Sequence, residues 1–334
     1  MLHLLFNFPN TAVAIACASL PALIISFFLY YRLSGILPTD RGRAFAAQGQ
    51  ASVGKPTAAG IYFVSVYVIF AALFLELSWM SASFLLIIFL AMIFGFLDDR
   101  AQNPWHEYFK GALDLLLSLG TAFIFATAVG TEIVMPLFSV TITLPYPLFI
   151  FLATVLVWAA INVTNCTDGV DGLSGSMTIV SILSFIILSR MISTENDFLY
   201  STIILVFCLL AYLWFNAHPS KLLMGDAGSR ALGVTLAIAA LSSQSPLSYL
   251  AICALFIADG GAGIIKISLK RFLKIHILKN VKTPLHDHFR EAGSNDDADR
   301  GKKWKNQTLT VRFLILHTCI CAFYLLLVYI ITSR

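Results

Sequence analysis

The chain has 334 residues, of which 58% are hydrophobic and only 12% are charged. A water-soluble domain carries about 25% charged residues, so this chain has too few charges to cover a soluble surface of its size. The net charge of +4 is small and is spread along the chain, which excludes disorder and nucleic-acid binding. We therefore predict an all-α polytopic protein of the lipid bilayer, folded as a single domain over residues 1–334.

Apolar stretches long enough to cross a bilayer occur at ten places. A crossing helix needs about 20 mainly apolar residues. The first stretch lacks the basic start and the cleavage site of a signal peptide, so it is interpreted as a span. Between the fourth and fifth stretches, alternating apolar and polar residues predict a small external hairpin at 131–144. The ten predicted spans cover about residues 11–31, 61–79, 81–97, 111–129, 147–163, 174–190, 199–215, 231–244, 248–268 and 311–331.

The distribution of basic residues indicates how these spans are oriented. Lys and Arg near the ends of spans stay on the cytoplasmic side. With ten spans and an external N-terminus, the inner segments and adjoining span ends hold 20 of the 22 Lys and Arg residues, all except Arg190 and Arg334. We therefore expect both termini to be external. The long polar loops then lie on the cytoplasmic face, where we place the active site.

Two adjacent carboxylates, Asp98 and Asp99, end the third apolar stretch. The C-terminal end of a helix carries partial negative charge, so unpaired carboxylates are unfavourable there. A bound divalent cation would reverse the sign of that local field. The alternative interpretation is a solvated pair at the membrane surface.

The loop between the fifth and sixth stretches alternates Asp and Gly. Asp168 and Asp171 are three residues apart, which places them on one side of a turn. Gly169 and Gly172 allow the backbone to approach a ligand closely. A polar turn without function needs no such alternation, although that interpretation stays open.

Two further inner loops carry polar residues suited to phosphate chemistry. Asp226 lies between two glycines just before the eighth stretch, and Asn216 precedes it by ten residues. Asp226 alone is also compatible with a helix N-cap. His286 and His288 flank an aspartate in the last inner loop. Because no cysteine lies nearby, they fit phosphate binding or proton transfer better than a zinc site, and the alternative is a surface amphipathic segment.

Together these loops predict phosphoryl transfer at a membrane surface. Carboxylate clusters select hard cations, and Mg²⁺ commonly bridges substrate phosphates. An ion-coupled transporter is the alternative from another class of protein. Its carboxylates would lie at mid-membrane on broken helices, whereas the aspartates named above fall at the inner ends of predicted spans.

Five segments, taken in order, resemble the polyprenyl-phosphate N-acetylhexosamine-1-phosphate transferase superfamily over nearly the whole chain. They are Lys55–Gly60, Leu97–Asp99, Asn165–Leu173, Met224–Ser229 and Pro284–Phe289. The most similar branch is the phospho-N-acetylmuramoyl-pentapeptide transferases, because of the histidine loop and of Trp304 ahead of the last span. The chain departs from the superfamily at Asp287, where a third histidine is usual, and at Leu223, where an aromatic residue is common.

The resemblance implies a Mg²⁺-dependent phosphoglycosyl transferase of the bacterial inner membrane. Such an enzyme transfers phospho-MurNAc-pentapeptide from UDP-MurNAc-pentapeptide to undecaprenyl phosphate, which gives lipid I and UMP for peptidoglycan synthesis. The alternative within the superfamily is transfer of GlcNAc-1-phosphate, or of a related sugar phosphate, to the same lipid. A homodimer is also implied.

The resemblance also implies roles for individual residues. The implied Mg²⁺ ligands are Asp99 and Asp226, and Asp98 is the candidate for activating the lipid phosphate. The residues implied in catalysis are Asp98, Asp99, Asp168, His286 and His288, with the two histidines at the diphosphate or the sugar. Lys55 and Asp171 are implied at the uridine, and Leu223 occupies the position of the aromatic residue that stacks on uracil. The full set of residues implied in substrate binding is Lys55, Asn165, Asp171, Asn216 and Leu223.

Overall fold

The computed structural model describes residues 10–42, 52–290 and 304–333. Within these residues the fold is mainly helical, with one short hairpin between α4 and α5. The strands are β1 (Glu132–Met135) and β2 (Val140–Thr143). The helices are α1 (Thr11–Leu33), α2 (Gly60–Phe74), α3 (Trp79–Arg100), α4 (Glu107–Ala128), α5 (Tyr146–Thr167), α6 (Leu173–Met191), α7 (Asp197–Asn216), α8 (Gly225–Ser242), α9 (Pro246–Ile252), α10 (Ala254–Leu273), α11 (Leu285–Arg290) and α12 (Asn306–Thr332).

The described helices confirm a polytopic membrane protein. Seven of them are long and apolar enough to cross a bilayer, and the bent pair α9 and α10 would make an eighth. Helices also lie at the other two predicted positions, but α2 has only 15 residues and α8 contains charged residues in its first turns. The count of ten spans therefore stays a prediction.

Helix α8 lies at the centre of the described fold and packs against α3, α5 and α2. Of its residues, only Asp226 is not buried. Glycines allow this close packing, since a Cβ on Gly60 would lie 2.1 Å from the backbone nitrogen of Gly228. A Cβ on Gly95 would lie 2.3 Å from the carbonyl carbon of Asp226. Small residues thus bring the ends of α2 and α3 against the start of α8.

The predicted hairpin is confirmed, so the fold is not purely helical. Strands β1 and β2 pair antiparallel, with Ile133 opposite Ile142. The amide of Val134 donates to the carbonyl of Gln244 at 2.8 Å, which attaches the hairpin to the end of α8. The hairpin therefore belongs to the face opposite the polar loops that precede α8.

The ninth predicted span is broken. Helices α9 and α10 meet at an angle of 68°, and Cys253 between them leaves helical geometry with φ −100° and ψ 20°. Residues Ile257–Gly261 of α10 form a π-helical turn, a feature frequent at functional sites. This turn carries Asp259, which is fully buried.

Candidate active site

The carboxylate of Asp99 joins the end of α3 to the start of α8. Its two oxygens accept hydrogen bonds from the backbone amides of Asp226 and Ala227, each at 3.1 Å. These amides belong to the first turn of α8, where the helix dipole favours negative charge. The N-terminus of α8 thus offsets the unfavourable position of Asp99 at the C-terminus of α3.

Asp226 lies in the first turn of α8 and does not cap the helix, because the N-cap position is occupied by Met224. One Asp226 oxygen accepts a hydrogen bond from the side-chain amide of Asn165 at 2.9 Å. The same amide nitrogen lies 2.8 Å from the hydroxyl of Ser229. The N-cap interpretation of Asp226 is therefore wrong, and its carboxylate faces the end of α5.

Asp98 is buried and is held by a lysine and a backbone amide. Lys110 forms an ion pair with Asp98, and the amide of Trp105 donates to the other oxygen at 2.8 Å. The Lys110 ammonium also lies 3.5 Å from Asp226. A cation between two carboxylates reduces their mutual repulsion, so Asp98 and Asp226 are brought together from α3 and α8.

A second group of predicted residues, Lys55 and Asp171, meets around Ser220. The Lys55 ammonium donates to the Ser220 hydroxyl at 3.0 Å. One Asp171 oxygen lies 2.8 Å from His218 Nδ1 and accepts from the amide of Ser220 at 3.2 Å. Burial alone would raise the pKa of Asp171, but these hydrogen bonds and the nearby Lys55 charge lower that pKa overall. Asp171 is therefore a carboxylate at neutral pH.

Two other residues implied in substrate binding, Asn216 and Leu223, border this group. The Asn216 side chain is buried, accepts from the amide of Gly172 and donates to the carbonyl of Leu222, both at 2.8 Å. The backbone of Leu223 is fixed because its amide donates to the carbonyl of Pro56 at 2.8 Å. In this arrangement Asn216 holds two loops in place, and Leu223 lies beside the segment that carries Lys55.

The histidine loop contacts the loop that follows α5. His286 is buried, and a Cβ on Gly169 would lie 2.3 Å from its Nε2 atom. Arg290 forms an ion pair with Asp287 at 2.7 Å and donates to the carbonyl of Gly169 at 2.9 Å. Glycine is required at position 169 by this close approach, and Asp168 immediately before it ends α5.

The two predicted histidines occupy different environments. His288 is exposed, and its Nδ1 atom lies 3.4 Å from the amide of Lys282. His286 Nδ1 lies 2.8 Å from one oxygen of Asp259, while the amide of His286 donates to the other oxygen at 2.7 Å. A carboxylate that accepts from Nδ1 leaves Nε2 for another partner, and Nε2 lies 3.8 Å from an Asp287 oxygen. Only His286 is thus fixed against the loop at Gly169.

The charges around Asp99 and Asp226 fit a divalent cation. Among the described residues no group of three or more His, Cys, Asp or Glu side chains is arranged to hold a metal ion. Mg²⁺ commonly binds through one or two carboxylates plus substrate phosphates, so this pair is a sufficient donor set. Four carboxyl groups and two basic side chains form the cluster: Asp98, Asp99, Asp114, Asp226, Lys110 and Arg230.

Sequence reasoning missed several side chains that hold the site. Asp259 fixes His286, and a single aspartate followed by two glycines inside an apolar stretch was an available signal. Asp114 pairs with Arg230 at 2.5 Å although the two residues are 116 positions apart. No pattern local to either residue predicts that pair.

Comparisons with known proteins indicate the family of this chain. Residues 81–244 match the family model described as glycosyl transferase family 4. Together with the apolar helices, this match defines a polytopic membrane transferase.

Relatives that match most of the chain give a narrower family. A phospho-N-acetylmuramoyl-pentapeptide-transferase of Treponema pallidum (strain Nichols) is 38% identical over 317 residues, which cover 88% of this chain and 85% of the relative. A protein of the same name from Clostridium botulinum (strain Eklund 17B / Type B) is 30% identical, and the match covers 80% of this chain and 81% of the relative. Another from Borrelia turicatae (strain 91E135) is 27% identical, and the match covers 92% of each protein. The chain therefore belongs to the phospho-N-acetylmuramoyl-pentapeptide-transferase family, and the predicted resemblance is confirmed.

Proposed function

We propose that this protein transfers phospho-MurNAc-pentapeptide from UDP-MurNAc-pentapeptide to undecaprenyl phosphate, which gives lipid I and UMP. The observation that carries the proposal is the 38% identity to a transferase of that name over 88% of the chain. The convergence of Asp99, Asp226 and Asn165 where α3, α5 and α8 meet supports it. The reaction displaces UMP from the β-phosphorus of the donor, and an oxygen of the lipid phosphate forms the new bond.

In this proposal Asp99 and Asp226 hold Mg²⁺, and Asp98 lies beside them. When bound, the metal would neutralise charge on the diphosphate oxygens. Asp99 stays oriented by two amides of α8, and Asn165 orients Asp226. A phosphate monoester loses its second proton near pH 6, so Asp98 acts mainly by positioning the lipid phosphate.

The donor nucleotide is proposed to lie against Lys55, Asp171 and Leu223. The ammonium and the carboxylate are held close together through Ser220, which offers a cation and an acceptor to a uridine. Asn216 supports these residues by linking the loops on either side. Nε2 of His286 is proposed to face the diphosphate or the sugar. We place His288 at the exposed edge of the same loop and Asp168 behind Gly169 as support for the site.

An apolar groove is proposed to hold the polyprenyl tail of the acceptor lipid. A cavity of about 460 Å³ lies between α5, α9 and α10, and its lining includes Phe149, Trp158, Leu250 and Ile265. The tail reaches this surface from lipid and not from water, so van der Waals packing, and not the hydrophobic effect, would hold it there. Because α10 also carries Asp259, the groove extends along the helix that positions His286.

The finer membrane topology also belongs to the proposal. We propose ten spans, two external termini and a cytoplasmic active site in the bacterial inner membrane. The position of 20 of the 22 basic residues supports this orientation. The homodimer implied by the resemblance is testable from the mass of the detergent-solubilised protein by light scattering.

The assay that tests the function uses purified protein, undecaprenyl phosphate and Mg²⁺. UMP release is measured separately with UDP-MurNAc-pentapeptide and with UDP-GlcNAc. We expect release with the pentapeptide donor and at most a background rate with UDP-GlcNAc. Preference for UDP-GlcNAc would contradict the proposed donor, and omission of the lipid controls for hydrolysis.

The topology is testable by labelling introduced cysteines. Ser193→Cys and Lys279→Cys are made in a background in which the exposed Cys17 and Cys319 are replaced by serine. Because both positions are exposed in connections of the predicted opposite faces, an impermeant maleimide added to intact cells is expected to label position 193 only. Labelling of both positions from outside would contradict the ten-span arrangement.

Leu223→Phe is expected to lower the KM for the UDP-sugar about fivefold with little change in kcat. Stacking of a base on an aromatic ring contributes about 1–3 kcal/mol, and uniform binding changes KM alone. Leu222→Phe is the matched control, since Leu222 is fully buried and a larger ring there should reduce thermal stability. An unchanged or higher KM in the Leu223 variant would place the uracil elsewhere.

A further inference from the structure

Arg230 is a buried cation in direct contact with Asp226. It lies one turn along α8, and its Nε atom is 3.3 Å from an Asp226 oxygen. Its Nη1 atom donates to Asp114 of α4 at 2.5 Å. Arg230 is only 7% exposed and Asp114 only 2%. Neither side chain can exchange its partner for water without a change in the packing of α4 and α8.

The guanidinium is a permanent positive charge, because arginine is not deprotonated in proteins. It therefore opposes the binding of any second cation at Asp226. Asp114 lies on the other side of the guanidinium and partly balances that charge. Arg230 makes the electrostatic potential at Asp226 more positive, and Asp114 makes it more negative. Charge interactions over such short distances are strong in a partly buried site.

We propose that the Arg230–Asp114 pair sets the affinity of Asp226 for the divalent cation. Arg230 is a positioning residue that holds Asp226 in place and weakens cation binding, while Asp114 limits that weakening. This inference rests on the proposed function of Asp226 as a metal ligand. It predicts that the two members of one ion pair have opposite effects on metal affinity.

A purely structural role for the pair makes a different prediction. Breaking a buried ion pair destabilises a protein, whereas replacing both members with apolar residues of similar volume is often neutral. If Arg230 and Asp114 only joined α4 to α8, each single variant would lower the melting temperature and neither would change metal affinity. The affinity for the metal therefore distinguishes an electrostatic role of the pair from a purely structural one, whereas the melting temperature does not.

The experiment measures binding of Mn²⁺ to the detergent-purified full chain without substrates, from the electron paramagnetic resonance signal of free Mn²⁺. Mn²⁺ shares the preference of Mg²⁺ for carboxylate ligands. We expect Arg230→Met to bind about fivefold more tightly and Asp114→Asn about fivefold more weakly than the unchanged protein. Arg230→Lys keeps the charge and should bind within about twofold of the unchanged protein.

Two further variants serve as controls, one for misfolding and one for a general effect of removing a charge. Asp114→Leu combined with Arg230→Met removes the pair and keeps the packing. It should bind Mn²⁺ about threefold more tightly, because the nearer charge lost is the positive one. Arg271→Met removes one charge from an exposed ion pair with Glu107 and should leave the affinity unchanged.

The outcomes separate this inference from the proposed metal site. Suppose that Asp226→Asn loses Mn²⁺ binding, whereas Asp114→Asn and the double variant bind Mn²⁺ as tightly as the unchanged protein. That result would overturn the role of the Arg230–Asp114 pair and leave the metal site standing. Tighter binding in Asp114→Asn would do the same. If Asp226→Asn binds Mn²⁺ as tightly as the unchanged protein, the proposed metal site itself is wrong, and this inference fails with it.

Discussion

Asp226→Asn and Asp99→Asn are each expected to lower turnover by about a thousandfold, the scale seen when groups that stabilise transition-state charge are removed. An amide supplies none of the negative charge that holds Mg²⁺. Asn at position 99 would also face the amides of Asp226 and Ala227 with one acceptor in place of two. The measurement is UMP release at saturating Mg²⁺ and saturating substrates.

Both variants are expected to fold, which makes the loss interpretable. In Asp226→Asn the Arg230 guanidinium keeps its bond to Asp114, so no buried charge is left without a partner. Asp197→Asn is the matched control, since Asp197 lies in the first turn of α7, away from the polar loops. Normal turnover in either active-site variant, with a normal melting temperature, would remove that residue from the proposed metal site.

Hydropathy predicted the positions of the helices because lipid-facing helices must be apolar over their length. It was least accurate at α8, where the predicted stretch starts at residue 231 and the helix starts at Gly225. Small and polar residues there indicate a loop in sequence, but neighbouring helices cover them. This difference explains why Asp226 was compatible with an N-cap in sequence and lies in the first turn of the helix.

The candidate site was predictable where its residues are close in sequence. The Asp-Gly loop and the Asp98–Asp99 pair each form a local pattern. Contacts between distant segments could not be inferred in this way, because they depend on how the helices are placed. Asp259 pairs with His286 across 27 residues, and a lone aspartate inside an apolar stretch indicates a functional residue without indicating its partner.

Asp259→Asn is expected to lower kcat/KM about a hundredfold. Asp259 accepts hydrogen bonds from both the amide and Nδ1 of His286, at 2.7 and 2.8 Å. An asparagine has one acceptor oxygen and one donor nitrogen, so it cannot accept both bonds. The imidazole then loses either its fixed orientation or its tautomer, and in a serine protease the comparable Asp→Asn change lowers kcat by about 10⁴.

A double-mutant cycle with His286→Ala distinguishes positioning of the histidine from a general effect on the fold. If Asp259 acts through His286, its substitution costs little once the imidazole is gone, so the double variant should be about as active as His286→Ala alone. Asp197→Asn is the control, because Asp197 lies in the first turn of α7 and its substitution leaves the Asp259–His286 contacts in place. Losses that multiply in the double variant, together with a lower melting temperature for Asp259→Asn, would mean that Asp259 supports the bend of α10 and does not position His286.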